Sequence, residues 1–226
     1  MSVLDELVAA ARDRAKRLPP DEPDFKATGP RFDDALRGKE RLAVIAEFKQ
    51  SSPSLGAIAE RNPLEQVHRY VKAGASAVSI LTEPTRFGGD YSHLTQASQS
   101  FFVPVLMKDI FVDTAQVRFA ARLGARAVLL IMKCLSRSDL DELVSACRQY
   151  GLVPLLECHD ETELGRALDV DDGVVGINNR NLDTLEVDLK LTPRLLRNIP
   201  SERVVVAESG YERPEQTVAI KGLADG

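Results

Sequence analysis

Seven short apolar runs recur along the chain, about thirty residues apart, and each run leads directly into polar or charged residues. The runs are rich in Val, Ile, Leu and Ala, which is typical of strands that are buried on both faces of a parallel sheet. They are Leu42–Ala46, Ala77–Leu81, Val103–Met107, Ala127–Met132, Leu152–Leu156, Val174–Ile177 and Val204–Ala207.

Helical patterns separate the runs and carry recognisable start and stop signals. The patterns cover residues 62–73, 90–100, 113–123, 138–150, 160–168, 192–198 and 213–221. An N-cap residue stands before a proline at the starts predicted for two helices, Asn62-Pro63 and Thr192-Pro193. Two further starts resemble capping boxes, Ser136 with Asp139 and Asp160 with Glu163. The glycines expected to end helices are Gly74, Gly124 and Gly151.

Residues 1–40 do not follow this alternation. An amphipathic helix is predicted at the start, capped by Ser2 with Asp5 three residues later and ended by Pro19-Pro20. A short helix is expected near Phe32–Arg37. We therefore interpret residues 1–40 as a helical extension that packs against one domain, residues 1–226, whose βα units occupy residues 41–226.

Strict alternation of strands and helices requires parallel strands joined by right-handed crossovers. Such units form either an open sheet or a (β/α)8 barrel. Polar residues end all seven runs rather than clustering at one switch point, and no GxGxxG follows the first run. The α/β fold class predicted here is therefore a TIM-type barrel, in which the strand ends build the active site.

Composition narrows the classes of function. The net charge of -5 lacks the basic excess expected of a general nucleic-acid binder. Cys134, Cys147 and Cys158 have no CxxC spacing and are interpreted as reduced cytosolic thiols. No apolar run approaches the length of a membrane span, and the charged N-terminus does not resemble a signal peptide. These features predict a cytoplasmic protein with no nucleic-acid or membrane partner. They do not predict the oligomeric state.

The first run ends in a charged pair and a hydroxyl-rich segment. Glu47 and Lys49 lie two residues apart and so point the same way from a strand. A structural ion pair accounts for them as well as a catalytic pair does. Residues 51–56, with Ser52 among them, are suited to holding an oxyanion, and they are equally typical of an ordinary turn.

The third and fifth runs end in the two strongest acid–base candidates. Burial at a strand end would lower the pKa of Lys108 and ease proton donation, although a lysine that extends to solvent is the common alternative. Burial would raise the pKa of Glu157 and suit it to general acid or base work. His159, just beyond, is assigned to a loop or helix start without a catalytic role.

The sixth and seventh runs end in polar loops suited to binding an anion. Asn178, Asn179 and Arg180 offer orienting hydrogen bonds and a guanidinium clamp. Ser209 and the Gly210 amide are suited to phosphate oxygens. Both segments are also plausible turns. His and Cys never cluster at ligand spacing, so no metal is predicted. Two lysines, two glutamates and an asparagine at strand ends indicate cofactor-free acid–base chemistry on an anionic substrate.

Taken together, the motifs resemble those of the indole-3-glycerol phosphate synthase family, in order and spacing and over nearly the whole chain. They are IAEFKQSSPSLG, SILTEPTRFGGDYSHL, PVLMKDIFVD, AVLLI, LLECHDETEL, GINNRNL and VAESGY. The resemblance implies a (β/α)8 barrel with an N-terminal helical extension. It also implies a cofactor-free carboxy-lyase of tryptophan biosynthesis that converts 1-(2-carboxyphenylamino)-1-deoxyribulose 5-phosphate to indole-3-glycerol phosphate, carbon dioxide and water.

The resemblance also implies roles for individual residues. Lys108 matches a general acid, Glu157 an acid–base group, and Lys49 a substrate contact that also donates a proton. Which lysine serves which step stays open. Glu47 and Asn178 match residues that orient the lysines and the substrate hydroxyls. Implied substrate contacts are Ser52 on the phosphate side, Arg180 on the anthranilate side, Glu208, Ser209 and Gly210 on the seventh strand, and the apolar walls Phe87 and Leu129.

One departure from the family concerns the end of the barrel. A family member would continue with an eighth βα unit, whose absence would expose the edges of the first and seventh strands and remove half of the phosphate site. We therefore expect the 226-residue chain to be impaired or inactive. Two alternatives stay open: a catalytically dead barrel that serves as a binding or assembly module, and another enzyme on the same scaffold, such as a phosphoribosylanthranilate isomerase-like barrel.

Overall fold

The computed structural model describes residues 2–20, 26–38, 41–52, 56–57 and 62–226. Seven parallel strands form the main sheet, as the apolar runs predict. They are β1 Ile45–Phe48, β4 Ala77–Leu81, β5 Val105–Lys108, β6 Ala127–Ile131, β7 Val153–Cys158, β8 Val174–Asn178 and β9 Val205–Glu208. A two-stranded hairpin, β2 Ser51–Ser52 with β3 Gly56–Ala57, lies beyond β1.

The strands lie in the sheet in the order in which they occur in the chain, β1-β4-β5-β6-β7-β8-β9. The sheet curls into a barrel of seven strands, and β1 and β9 are its edges within the described residues. At the amino ends of these two strands, the main chain of Asp225 bonds to both sides. Its carbonyl oxygen accepts a hydrogen bond from Ala43 N at 2.7 Å, and its N–H donates to Val205 O at 2.8 Å. The predicted barrel is therefore confirmed, with an open seam between β1 and β9.

The helices also follow the predicted pattern closely. They are α1 Val3–Ala15, α2 Phe32–Leu36, α3 Pro63–Lys72, α4 Pro84–Phe87, α5 Tyr91–Ser100, α6 Thr114–Arg122, α7 Arg137–Tyr150, α8 Glu161–Leu168 and α9 Leu191–Leu196. The predicted capping boxes of α1 and α7 are present, and Asn62 caps α3. Gly74, Gly124 and Gly151 all adopt positive φ where helices end, which a residue without a Cβ tolerates.

Three local predictions are wrong, and one short helix was not predicted. Residues 213–221 form only a 3-10 turn at Pro214–Thr217, and α4 was not expected. The helix predicted from Thr192 begins at Leu191 instead, because the Thr192 hydroxyl donates to Asn179 Oδ1 at 2.8 Å rather than capping a helix. At α8 only half of the capping box forms, since the Glu163 side chain bonds to His159 and not to Asp160 N.

Alternation along each strand decides what faces the barrel interior. The interior cluster of buried side chains takes every second residue, such as Leu106 on β5, Leu129 on β6 and Leu155 on β7. The intervening residues pack outward against the helices, in a second cluster that includes Val128 and Leu156. Because side chains two residues apart share a face, the next interior position after Leu106 is Lys108, and after Leu155 it is Glu157.

The N-terminal extension is tied to the carboxyl ends of the strands by an ion-pair network. Arg14 of α1 binds Asp109 Oδ1 at 2.6 Å and Glu83 Oε1 at 3.3 Å, and those two carboxylate side chains are 0% and 1% exposed. Thr82 Oγ1 donates to the other oxygen of Asp109 at 2.9 Å. Leu4 and Leu7 of α1 join the interior cluster, so this helix packs beside the residue that follows Lys108.

Candidate active site

Side chains from β1, β5, β7, β8 and β9 converge on one cavity of about 760 Å³ at the carboxyl ends of the strands. The volume lies in the range of small-molecule sites. Each of these strands presents its interior-facing position there, because the parallel register aligns the strand ends. The polar residues on the cavity wall include Glu47, Lys49, Lys108, Glu157, Asn178 and Glu208.

Lys108 lies at the centre of the charged residues. Its Nζ atom is 3.0 Å from Glu208 Oε2 and 3.3 Å from Glu47 Oε2. Its side chain is 22% exposed, so the ammonium group reaches the cavity without extending freely into solvent. The lysine is thus held in one place by carboxylates from both edge strands.

Glu47 joins the two lysines. While Oε2 faces Lys108, Oε1 accepts a hydrogen bond from Lys49 Nζ at 2.7 Å. The Tyr70 hydroxyl donates to the main-chain oxygen of Glu47 at 3.0 Å and helps fix this part of β1. Two ammonium groups therefore lie side by side in the cavity with one carboxylate between them, an arrangement suited to an anionic substrate.

The electrostatics correct two pKa predictions. Burial lowers the pKa of Lys108, but Glu208, Glu47 and Glu157 outweigh it and hold that pKa well above its ordinary value. Burial raises the pKa of Glu157, but His159 and Lys108 outweigh it and bring it below its ordinary value. Both predictions considered burial alone and omitted the opposite charges that the barrel brings together.

Glu208 differs from the other two carboxylates. Burial raises its pKa to about 7, Lys108 opposes this, and the neighbouring Glu157 and Glu47 add to it. For Glu47, burial likewise acts upward, yet Lys108 and Lys49 bring the pKa below its ordinary value. Three carboxylates around two lysines thus include one, Glu208, that takes up a proton near neutral pH. Its Oε1 atom is buried and makes no hydrogen bond within the described residues.

His159 lies beside Glu157 in a chain of charged groups. Its Nδ1 is 3.0 Å from Glu163 Oε2, and its Nε2 is 3.4 Å from Glu157 Oε1. The side chains of Glu157 and His159 are 2% and 10% exposed. Burial lowers the pKa of His159, but the two carboxylates raise it to about 9. The base candidate on β7 therefore contacts a cationic imidazole.

The loop after β8 is built around its two asparagines. Asn178 Oδ1 accepts from Arg180 N at 3.0 Å, and Arg180 Nη1 donates to Leu185 O at 2.9 Å. Asn179 is buried and joins two loops, since its Nδ2 donates to Ser209 O at 3.1 Å and its Oδ1 accepts from Thr192. Asn178 and Arg180 line the cavity, whereas Asn179 holds the loops in place.

Ser209 and Gly210 form a strained turn after β9. Both have positive φ, 64° and 88°, which is uncommon for serine. A Cβ at Gly210 would collide with the side chain of Val187, so a glycine is required where this turn meets the loop after β8. Both residues line the cavity, together with Phe87 and Leu129 on its apolar side. The side chain of Ser52 lies outside the described residues.

Sequence reasoning missed several polar side chains on the cavity wall, and two of them have buried, unpaired hydroxyl groups within the described residues. Ser79 on β4 and Tyr211 after β9 line the cavity, and neither hydroxyl has a hydrogen-bond partner within the described residues. Ser79 was detectable as the one polar residue in the run AVSIL, at an interior-facing position. Tyr211 follows the Ser-Gly turn after β9, and nothing in the sequence pattern there indicated that it would line the cavity.

The described residues contain no group of three or more His, Cys, Asp or Glu side chains placed to hold a metal ion. Among the helices of that part of the chain, none has the length and apolarity to cross a membrane. The three cysteines are free thiols, as the spacing predicts.

Comparison with known sequences connects this geometry to one family. The family model described as indole-3-glycerol phosphate synthase matches residues 6–225. A protein of that name from Deinococcus radiodurans is 43% identical over 210 residues, covering 89% of this chain and 78% of that protein. Indole-3-glycerol phosphate synthase 1 of Streptomyces coelicolor is 41% identical over 228 residues, covering 97% and 84%.

Solved structures show the same fold at low sequence identity. Tryptophan synthase subunit alpha from Legionella pneumophila aligns with a TM-score of 0.59 and 17% identity, covering 88% of this chain and 85% of that one. Phosphoribosyl anthranilate isomerase from Thermotoga maritima aligns with a TM-score of 0.55 and 16% identity, covering 78% and 82%. At these identities the likeness concerns the barrel alone.

Proposed function

The chain belongs to the indole-3-glycerol phosphate synthase family, and from that premise we propose that it closes the indole ring at the Lys108 cluster. The enzyme is a carboxy-lyase of tryptophan biosynthesis, and its substrate is 1-(2-carboxyphenylamino)-1-deoxyribulose 5-phosphate. The observation that carries the proposal is the meeting of Lys108, Lys49 and Glu157 on one cavity wall. The binding-module alternative is not favoured, because the relatives are named as synthases.

The first step needs a proton donor beside the substrate carbonyl. The ring carbon that bears the carboxylate attacks the carbonyl carbon, a carbon–carbon bond forms, and the carbonyl oxygen takes a proton from Lys108. Carbon dioxide then leaves, and the electron pair of the broken bond restores the aromatic ring. The carboxylates around Lys108 keep it charged in the free enzyme, so the proton is present when the substrate arrives.

Dehydration needs a second acid and a base. Lys49 lies beside Lys108 across Glu47 and is assigned the proton that leaves with the hydroxyl group as water. Glu157 removes the carbon-bound proton whose loss forms the indole double bond. Its lowered pKa supports the role of base rather than acid, because the carboxylate is ionised before catalysis.

The remaining residues bind and orient the substrate. Glu47 fixes both lysines, and Asn178 contributes a side-chain amide beside Glu157. Arg180 is assigned to the anthranilate carboxylate, and Ser52, Ser209 and Gly210 are assigned to the phosphate. Glu208 Oε2 pairs with Lys108, while Oε1 is buried without a hydrogen-bond partner in the described part of the chain, which supports a substrate contact there. Phe87 and Leu129 supply the apolar wall for the aromatic ring.

The proposal extends to the setting of the enzyme. We propose a cytoplasmic enzyme without a nucleic-acid or membrane partner, which the net charge of -5 and the free thiols support. No cofactor is assigned, because the two lysines and Glu157 supply every proton transfer in the scheme.

Fluorescence of the indole product tests the proposal. We expect product from the 226-residue chain or from a version extended by an eighth βα unit, and a loss of about 10²-fold or more in Lys108→Met and Glu157→Gln. Lys72→Met and Glu142→Gln, at exposed positions outside the cavity, are the matched controls and should keep full activity. Product in neither form, or full activity in Lys108→Met, would contradict the proposal.

A further inference from the structure

We infer that His159 is a positioning residue for catalysis: Glu163 fixes its ring, and the ring holds the Glu157 carboxylate in its reactive place and charge. The inference rests on the proposed role of Glu157 as the base. It adds two residues, His159 and Glu163, neither of which is expected to touch the substrate, and neither lines the cavity.

Glu163 fixes the imidazole from one side. A single oxygen, Oε2, accepts from His159 N at 2.8 Å and lies 3.0 Å from His159 Nδ1. Asp160 Oδ1 accepts from Glu163 N at 2.8 Å, so the first turn of α8 holds Glu163 in turn. Because a carboxylate only accepts hydrogen bonds, Nδ1 of His159 must carry a hydrogen.

The opposite ring nitrogen points at the base. His159 Nε2 is buried and has no hydrogen bond of good geometry within the described residues, and Glu157 Oε1 lies 3.4 Å away. A neutral ring with its hydrogen on Nδ1 would turn a lone pair toward that carboxylate, which is repulsive. The doubly protonated ring faces a carboxylate on each side, and these two carboxylates raise the pKa of His159 to about 9.

Glu157 needs the imidazolium of His159, in addition to Lys108, to stay ionised. The groups that face it from the packed elements are Lys108 of β5, Glu208 of β9 and Cys134 of the turn after β6. Lys108 is shared with Glu208 and Glu47, so it alone cannot compensate three carboxylates. Without the imidazolium, burial would raise the pKa of Glu157 and the base would take up a proton before the substrate bound.

Strand alternation explains why the histidine reaches the site. Glu157 lies in β7 and His159 is the first residue beyond the strand, two positions later; the alternation continues across this step, and the two side chains meet at 3.4 Å. The register that turns Glu157 into the barrel therefore also places His159 next to it, between the strand and the first turn of α8.

Nuclear magnetic resonance of the histidine rings tests the charge directly and does not depend on turnover. The chain has three histidines, so His68→Gln, His93→Gln and His159→Gln assign the ring nitrogen signals by elimination. We expect the His159 ring to stay doubly protonated to about pH 9. Glu163→Gln, which removes one carboxylate and keeps an acceptor, should lower that pKa by about one unit or more. A wild-type His159 ring that titrates at or below pH 6.5 would overturn the inference.

The pH dependence of turnover tests the consequence for the base. In His159→Gln we expect the acid limb of the kcat–pH profile to shift to higher pH by about one unit. At pH values below the limb, kcat should therefore fall about tenfold, while KM stays nearly unchanged. Glu163→Gln should move the limb in the same direction but less, and the exposed control His68→Gln should not move it. The measurement uses whichever form of the chain turns over.

The possible results distinguish a failure of this inference from a failure of the proposed role of Glu157 as the base. Full turnover in Glu157→Gln would refute the base assignment and this inference with it. Loss of turnover in Glu157→Gln, together with an unshifted limb and a uniform loss in His159→Gln, would refute the positioning role alone.

Discussion

Replacing Lys108 with methionine should destabilise the protein far more at pH 8 than at pH 5. Methionine keeps most of the volume and removes the positive charge that faces both Glu208 Oε2 at 3.0 Å and Glu47 Oε2 at 3.3 Å. The carboxylates that remain repel one another, and Lys49, which contacts Glu47 alone of the three, compensates them only in part. Protonation of a carboxylate relieves the repulsion, and this sets the sign of the pH dependence.

The distances give the magnitude. At an effective dielectric constant of ~20, each of the two contacts is an attraction of about 5 kcal/mol before the cost of desolvation. Removing one partner of a buried pair costs about 3–5 kcal/mol after that correction, and this is the loss expected at pH 8. Burial already raises the pKa of Glu208 to about 7. The pKa of this carboxyl group is higher in the folded than in the unfolded protein. Its contribution to the free energy of unfolding is therefore complete below the pKa of the unfolded state, and it is lost as the pH rises through the pKa of the folded state.

Without Lys108, the pKa of Glu208 rises further. Because only the interval between pH 5 and pH 8 counts, a rise from about 7 adds up to about 1.4 kcal/mol to the difference between the losses at those two pH values. Urea denaturation of the wild type and of Lys108→Met at both pH values measures the difference. Lys49→Met is the matched control and should lose less, because Lys49 contacts one carboxylate and is 33% exposed. Equal losses at pH 5 and pH 8 would refute the reasoning.

Three other variants test packing around the site. Gly176→Ala places a Cβ against Glu208 Oε1, so we expect the protein to lose about 1–3 kcal/mol of stability and to have a lower kcat. Thermal denaturation and the fluorescence assay measure the two effects, and unchanged values would show that the two residues do not pack this closely. Arg14→Met leaves two buried carboxylates unpaired and should cost about 3–5 kcal/mol in urea denaturation, whereas a loss under about 1 kcal/mol would show that the network is weak. Asn179→Ala removes the hydrogen bond to Ser209 O, so KM should rise more than kcat falls, and a fall in kcat alone would argue against a role in phosphate binding.

The architecture was predictable because the periodicity of a buried parallel strand is a local property. All seven runs became strands, with boundaries within about three residues. The failures occurred where distant contacts decide the local structure. Thr192 resembles an N-cap in sequence, yet its hydroxyl is bound by Asn179, thirteen residues earlier. Glu163 resembles half of a capping box, yet its carboxylate bonds to His159.

Which strand-end residues line the cavity was largely predictable, but the signs of their pKa shifts were not. Polar residues at strand ends identified Lys108 and Glu157 as neighbours, since parallel strands end on the same side of a barrel. The signs of their pKa shifts depend on which opposite charges lie within a few ångströms. The contact between Lys108 and Glu208 joins residues 100 positions apart, and no local pattern encodes that distance.

The order of strands in the sheet has a consequence for how the chain folds. Each ladder joins a strand to the next unit along the chain, with paired residues separated by about 20 to 30 positions, as in Leu155 with Val174 and Ile45 with Ala77. Loop-closure entropy grows only with the logarithm of that separation, so the cost of forming any two ladders differs by less than about 0.5 kcal/mol. No single pairing is an entropic bottleneck, and the barrel can assemble one βα unit at a time as the polypeptide leaves the ribosome.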